Sequence, residues 1–250
     1  MPTEGASHFI QVIGQLFVRQ PSMISSEPRL VNQGQALETS GLIHRVQMVD
    51  APGPYPTVLM LHGRSGSEDA MWIFSTALPK NWLVVTPRGI KSDLDRGYAW
   101  HPRHRDEWPS LLMFDEAVEA IHHFIGALPQ LYNADPQQIY LMGFSQGAAT
   151  AYATATRHPG SIQGIAGLLG FVPVESSAAV DTLALKGLPI FMAVGINDPY
   201  ISYKRTQSCA QTVLSSGALL EYREYETEHR LNAQGLRDLR AWWNVQAAMR

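Results

Sequence analysis

The chain has 250 residues, 45% of them hydrophobic and 16% charged, which is enough for a full core in a single α/β domain. A formal net charge of -3 and a pI near 6.3 show no basic excess, so no nucleic-acid partner is expected. One cysteine, Cys209, excludes an intrachain disulfide and a cysteine-rich metal site, and it is read as a semi-buried helix residue.

The N-terminus lacks a Lys/Arg-rich start followed by an uninterrupted apolar stretch. Neither a secretory signal nor a membrane span is expected, and a cytoplasmic location is the default. Phe9, Ile13, Leu16 and Phe17 fit one helical face, although an opening strand fits as well. This segment is expected to dock on the domain without stable membrane insertion, and its exposed apolar surface would support a homodimer. Pro21 to Gly34 reads as a polar connector, so residues 1–35 are an N-terminal extension of open structure on a domain spanning 1–250.

Ala36 to Thr39 and Leu42 to Val49 flank Ser40-Gly41 and predict a hairpin. Thr57 to Leu61 is an apolar run of the kind buried on both faces of a parallel sheet. His62-Gly-Arg-Ser-Gly66 follows it, Glu68 to Leu78 has helical spacing, and Trp82 to Thr86 is another buried strand. Ile90 to Ser110 lacks periodicity and is taken as a long loop ordered by Trp100 and Trp108. Met113 to Leu128 predicts an amphipathic helix in which His122 and His123 are surface or packing residues. Further strands are expected at Gln138 to Phe144, Ile162 to Leu169, Pro189 to Val194 and Leu219 to Tyr225. Helices are expected at Tyr203 to Ser216 and Leu231 to Met249. This alternation predicts a largely parallel sheet with helices on both faces.

The chemistry centres on Gly143-Phe-Ser-Gln-Gly147, which lies between an apolar strand and an alanine-rich helix. A Gly-x-Ser-x-Gly turn in that context puts a serine on a strained bend, which makes Ser145 the candidate nucleophile. A serine hydroxyl needs a base and a group to orient that base. Asp198, directly beyond a buried strand, is the candidate acid, with Asp181 as runner-up. His229, in the loop before the last helix, is the candidate base, since no other histidine follows Asp198. The order Ser, Asp, His is then satisfied. Backbone amides would hold the oxyanion: that of Gln146, through its main chain more than its side chain, and that of Arg64, with Ser65 as second choice. Arg64 could instead be an exposed cation or pair with a substrate carboxylate. His101, His104, Asp106 and Glu107 match no zinc spacing, and no metal or cofactor is expected because serine chemistry needs none.

Leu61-His-Gly63, Gly143-Phe-Ser-Gln-Gly147, Gly195-Ile-Asn-Asp198 and Glu228-His229 together resemble the α/β-hydrolase superfamily, and within it the compact carboxylesterase, phospholipase and acyl-protein thioesterase group. The resemblance spans roughly residues 42 to 245. It implies an α/β-hydrolase fold without a large lid domain, and oxyanion amides at Arg64 and Gln146. It also suggests that Gly97 to His101 is the aromatic loop bordering the substrate, with Trp100 either lining the site or packing in the core. Arg64-Ser-Gly-Ser-Glu68 departs from the Leu-Gly-Asp type continuation common in that group, which bears on the acyl side of the pocket. The expected activity is hydrolysis of small-molecule carboxylic esters. A thioesterase or lysophospholipase is the near alternative, and a noncatalytic ligand-binding protein the distant one.

Overall fold

A computed structural model describes residues 27–93, 96–102, 108–173 and 183–249. Ten strands are described: β1 (Arg29–Val31), β2 (His44–Gln47), β3 (Tyr55–Leu61), β4 (Leu83–Pro87), β5 (Lys91–Ser92), β6 (Tyr98–Ala99), β7 (Ala134–Phe144), β8 (Ile165–Leu168), β9 (Pro189–Gly195) and β10 (Leu219–Tyr225). Eight of these form one sheet in the order β1-β2-β4-β3-β7-β8-β9-β10. The pairings β1/β2 and β2/β4 are antiparallel, and every pairing from β4 to β10 is parallel. The α-helices are α1 (Gln35–Ser40), α2 (Asp115–Tyr132), α3 (Gln146–Arg157), α4 (Tyr203–Ser215) and α5 (Ala233–Ala248). No described helix is long and apolar enough to cross a membrane.

Side chains of the central strands alternate between two cores, as strand geometry requires. Leu59, Leu61, Leu141 and Ile190 enter the core shared with α2, α3 and α4. Val58, Met60, Met142 and Phe191 enter the opposite core, with Trp82, Trp242 and Trp243. Helices therefore cover both faces, as the uninterrupted apolar runs predict.

Three local expectations are corrected. Gln35–Ser40, whose core Ala36 to Thr39 was expected as one arm of a hairpin, is α1. Ala36, Leu37 and Glu38 are good helix formers, and Gly41 ends the helix in the left-handed conformation (φ 73°), donating its N–H to the Leu37 carbonyl. Residues 29–31, assigned to a polar connector, pair with β2 as an edge strand. The helical spacing after Glu68 becomes a 3-10 helix over Ala70–Ala77. The loop from Ile90 to Ser110 also contains a short pairing of β5 with β6. The N-terminal cluster at 9–17 lies outside the described residues.

α3 is buried along most of its length, and its small residues let it approach the sheet closely. Tyr152 is the exception in size. Its hydroxyl presses on Gly167 of β8, where an added Cβ would lie 2.0 Å from that oxygen, and it has no hydrogen-bond partner among the described residues. A buried hydroxyl without a partner carries an uncompensated desolvation cost. Tyr152→Phe is therefore expected to leave thermal stability unchanged or to raise it by about 1 kcal/mol in denaturant titration.

His44 ties the antiparallel end of the sheet to α2. Its ring is fully buried, with Nδ1 donating to the Leu42 carbonyl and Nε2 accepting from the Tyr132 hydroxyl at the end of α2. Burial, opposed by the Leu42 carbonyl, lowers its pKa below the ordinary histidine value. Below about pH 6.5 the unfolded chain thus binds more protons than the folded one. The stability that neutral His44 contributes is complete above that pH and is lost as pH falls. Unfolding curves measured between about pH 7 and pH 5 should show a declining midpoint, with a shallower decline in His44→Gln.

Candidate active site

The strand-turn-helix at Ser145 is built by steric exclusion. Ser145 has φ 55° and ψ -116°, which is rare for a residue with a side chain and costs on the order of 1–3 kcal/mol. The surrounding backbones leave no room for larger neighbours. A Cβ on Gly143 would lie 2.3 Å from Gly147, and one on Gly147 would lie 2.0 Å from the Leu61 carbonyl oxygen at the end of β3. Serine at a helix N-cap usually accepts a bond from the first turn, but the Ser145 side chain makes no capping bond. Its main-chain N–H donates to the Leu168 carbonyl of β8 at 2.9 Å. Among the described residues the hydroxyl is uncommitted, and it sits at the positive end of α3.

The structure brings Asp198 and His229 together. Asp198 Oδ2 receives a 2.6 Å hydrogen bond from His229 Nδ1. Asp198 Oδ1 accepts the main-chain N–H groups of Tyr200 at 2.8 Å and Ile201 at 3.0 Å, so the carboxylate cannot rotate freely. The Asp198 side chain is 2% exposed and that of His229 18%. Their two loops interlock, because a Cβ on Gly195 would lie 2.4 Å from the Glu228 carbonyl oxygen. The His229 ring packs edge-on against Phe144, the residue before Ser145, and against Tyr200, with centroids 5.1 and 5.2 Å away. With Nδ1 bonded to the carboxylate, Nε2 is the nitrogen that can accept a proton. Asp181, the runner-up acid, lies outside the described residues, as do His104, Asp106 and Glu107.

The loop after β3 closes on the same turn. A Cβ on Gly63 would lie 3.3 Å from the Ser145 Cβ, which places Gly63, the residue before Arg64, beside the serine. Gln146 is the first residue of α3, where helix geometry leaves the main-chain N–H without an intrahelical acceptor. The Arg64 guanidinium is neither a free surface cation nor an open anion site. It pairs with Asp93 at 3.7 Å, a carboxylate only 2% exposed, and donates to the His101 and Pro102 carbonyls at 3.4 and 3.5 Å. Ser65 adopts φ 61° and donates its hydroxyl to Asp93 at 2.6 Å.

Trp100, a candidate for lining the site, is 1% exposed and packs against His62 with ring centroids 5.2 Å apart. Its indole N–H donates to the His62 carbonyl at 2.8 Å, so it braces the loop after β3 from within the core. Three further side chains carry geometry that the sequence did not flag. The Gln146 side chain, 3% exposed, accepts the Trp100 main-chain N–H at 2.9 Å and donates to the His101 carbonyl at 3.4 Å. Buried His62 donates from Nδ1 to the Gly63 carbonyl and accepts the Gly89 N–H at Nε2. Burial lowers its pKa, which keeps the ring in the neutral tautomer that both bonds require. Asp93 is the third. The one available signal was position: Gln146 adjoins the serine, and His62 and Asp93 lie at loop starts beyond strands.

The phospholipase/carboxylesterase family profile matches residues 46–246. A probable carboxylesterase SOBER1-like protein of Arabidopsis thaliana is 29% identical over 234 residues, covering 85% of each chain. A probable inactive carboxylesterase of Oryza sativa subsp. japonica is 28% identical over 164 residues, covering 63% of this chain and 64% of its own. The crystal structure of a carboxylesterase from Mesorhizobium loti superposes with a TM-score of 0.74 at 18% identity, covering 87% of this chain and 98% of that one, a likeness of fold. The chain belongs to the phospholipase/carboxylesterase family of the α/β-hydrolase superfamily.

Proposed function

We propose that this protein is a serine hydrolase that cleaves carboxylic esters of small to medium acyl groups through an acyl-enzyme on Ser145. The observation that carries this reading is the 2.6 Å Asp198–His229 bond, held by two backbone amides, beside a serine in a strained turn with an uncommitted hydroxyl. Family membership supports hydrolase chemistry of the esterase or thioesterase kind.

In the proposed reaction His229 Nε2 accepts the Ser145 proton as Oγ attacks the ester carbonyl, while Asp198 fixes the imidazole tautomer and offsets its developing charge. The main-chain amides of Gln146 and Arg64 hold the oxyanion, set in place before the charge forms. His229 then returns the proton to the leaving alcohol as the C–O bond breaks. Water repeats the sequence on the acyl-enzyme and releases the acid. Long-chain thioesters and lysophospholipids would use the same steps. The sequence has no insertion between the later strands large enough to form a lid domain, which favours the smaller substrates.

The inactive designation of the rice relative makes a noncatalytic binding protein the second reading. A fluorophosphonate probe followed by peptide mass spectrometry separates the two. Labelling is expected at Ser145 and should vanish in Ser145→Ala, whereas folded protein that takes no label would be a binding module. Turnover across acyl lengths and leaving groups then tests the substrate class, and a clear preference for long acyl thioesters would overturn the small-ester reading.

Asp198→Asn should lower kcat by roughly 10^4 with the circular dichroism spectrum unchanged, because the histidine loses its correct tautomer. Near-normal activity in that variant would move the acid role to Asp181.

A further inference from the structure

Two helices meet at the end of α3 farthest from Ser145. Glu119 and His122 lie three residues apart on α2, so their side chains project from one face. His158, the residue that caps the C-terminus of α3, reaches across to both. Glu119 Oε1 and His158 Nε2 are 2.9 Å apart, and the His122 and His158 rings stack with centroids 3.7 Å apart and 11° between their planes. One donor atom from each of the three residues lies within 4.8 Å of the others. The same seam is held by the Arg157–Asp115 ion pair at 3.0 Å. His123 takes no part, because its Nε2 bonds the Thr39 carbonyl at 3.0 Å.

We propose that Glu119, His122 and His158 form a surface site for a divalent transition-metal ion, Zn2+ in the first instance, that staples α2 to the end of α3. Two imidazoles and one carboxylate match the donor preference of Zn2+, Ni2+ or Cu2+, whereas Mg2+ and Ca2+ favour all-oxygen sites. Tetrahedral Zn2+ sets its donors about 3.4 Å apart, so side-chain rotation must open the Glu119–His158 pair from its present 2.9 Å and break the His122–His158 ring stack, while the other donors, all within 4.8 Å of one another, turn toward the ion. The ion replaces the proton shared between Glu119 and His158, and His158 coordinates through Nε2 with its proton moved to Nδ1. Stacked imidazoles repel each other if both are protonated. The Glu119 side chain is 68% exposed, so an ion can enter from solvent. The remaining coordination positions belong to water. α3 is 12 residues long, which separates this site from Ser145 by about 18 Å, and a bound ion acts on stability and not on the reaction.

Calorimetric titration of ZnCl2 into metal-free full-length protein tests the site. One equivalent is expected to bind in the micromolar range, whereas MgCl2 gives no saturable heat. Binding should weaken by about 10-fold or more in Glu119→Gln and in His158→Ala, disappear in the His122→Ala/His158→Ala double variant, and persist in His123→Ala. Zn2+ should raise the melting temperature of the parent chain and not that of the double variant. All variants change half-exposed or exposed side chains, and circular dichroism confirms that they fold. Absence of saturation below millimolar Zn2+ would overturn the proposal. So would undiminished binding in the double variant, which would place the ion elsewhere, for example on His229.

Discussion

Everything at the candidate site depends on the contact of three backbones: the end of β3, the end of β7 and the first turn of α3. Gly147 lies so close to the Leu61 carbonyl, and Gly143 so close to Gly147, that neither can carry a Cβ without displacing main chain. That crowding leaves Ser145 no ordinary conformation. It is held at φ 55° by the strand on one side and the helix on the other, and the bond from its N–H to the Leu168 carbonyl fixes the turn against β8. Strain of this size persists only where the surroundings over-determine it. Here the surroundings are β3, β7 and β8 and a helix of small residues.

The same packing carries the other members of the site. β9 and β10 run parallel with an unbroken register from Leu219/Pro189 to Tyr225/Gly195, so the loops that follow them start level with each other. Asp198 and His229 meet because Gly195 lets the second loop lie directly on the first. On the opposite side, Trp100 and Gln146 join the loop after β3 to the start of α3, so the two amides proposed for the oxyanion share one hydrogen-bonded frame. This frame explains why a glutamine follows the serine. Its side chain is buried and bonded at both ends, and replacing it would disturb the loop that carries Arg64.

The order of elements was legible in the sequence because the central strands are uninterrupted apolar runs and α2 and α5 keep helical periodicity. The serine turn was legible because its glycines are demanded by contact distance, a constraint that acts through sequence neighbours. α1 was not, since Ser40-Gly41 marks a helix end as readily as a hairpin turn, and only the left-handed Gly41 distinguishes them. The role of Trp100 was open in the sequence for a similar reason. An aromatic residue in a loop beside a site fits substrate lining and loop support equally well, and 1% exposure with an indole bond to His62 identifies the support. The Asp93–Arg64 pair joins residues far apart in sequence, and no local pattern encodes such a partner.

That pair also bears on which substrates suit the site. In the sequence, Arg64 could be the anchor for a charged acyl group. In the fold its guanidinium faces a carboxylate that is almost wholly buried, and Nη2 donates to two main-chain carbonyls, so its charge is paired before any ligand arrives. A substrate carboxylate that displaced Asp93 would leave that buried group without its cation, which is costly even though the Arg64 side is partly exposed. Recognition of the acyl group by shape and apolar contact avoids that cost. The departure at Arg64-Ser-Gly-Ser-Glu68 is therefore better understood as a device that stiffens the loop behind the serine than as a charge-selecting feature, which favours neutral acyl groups for the proposed esterase.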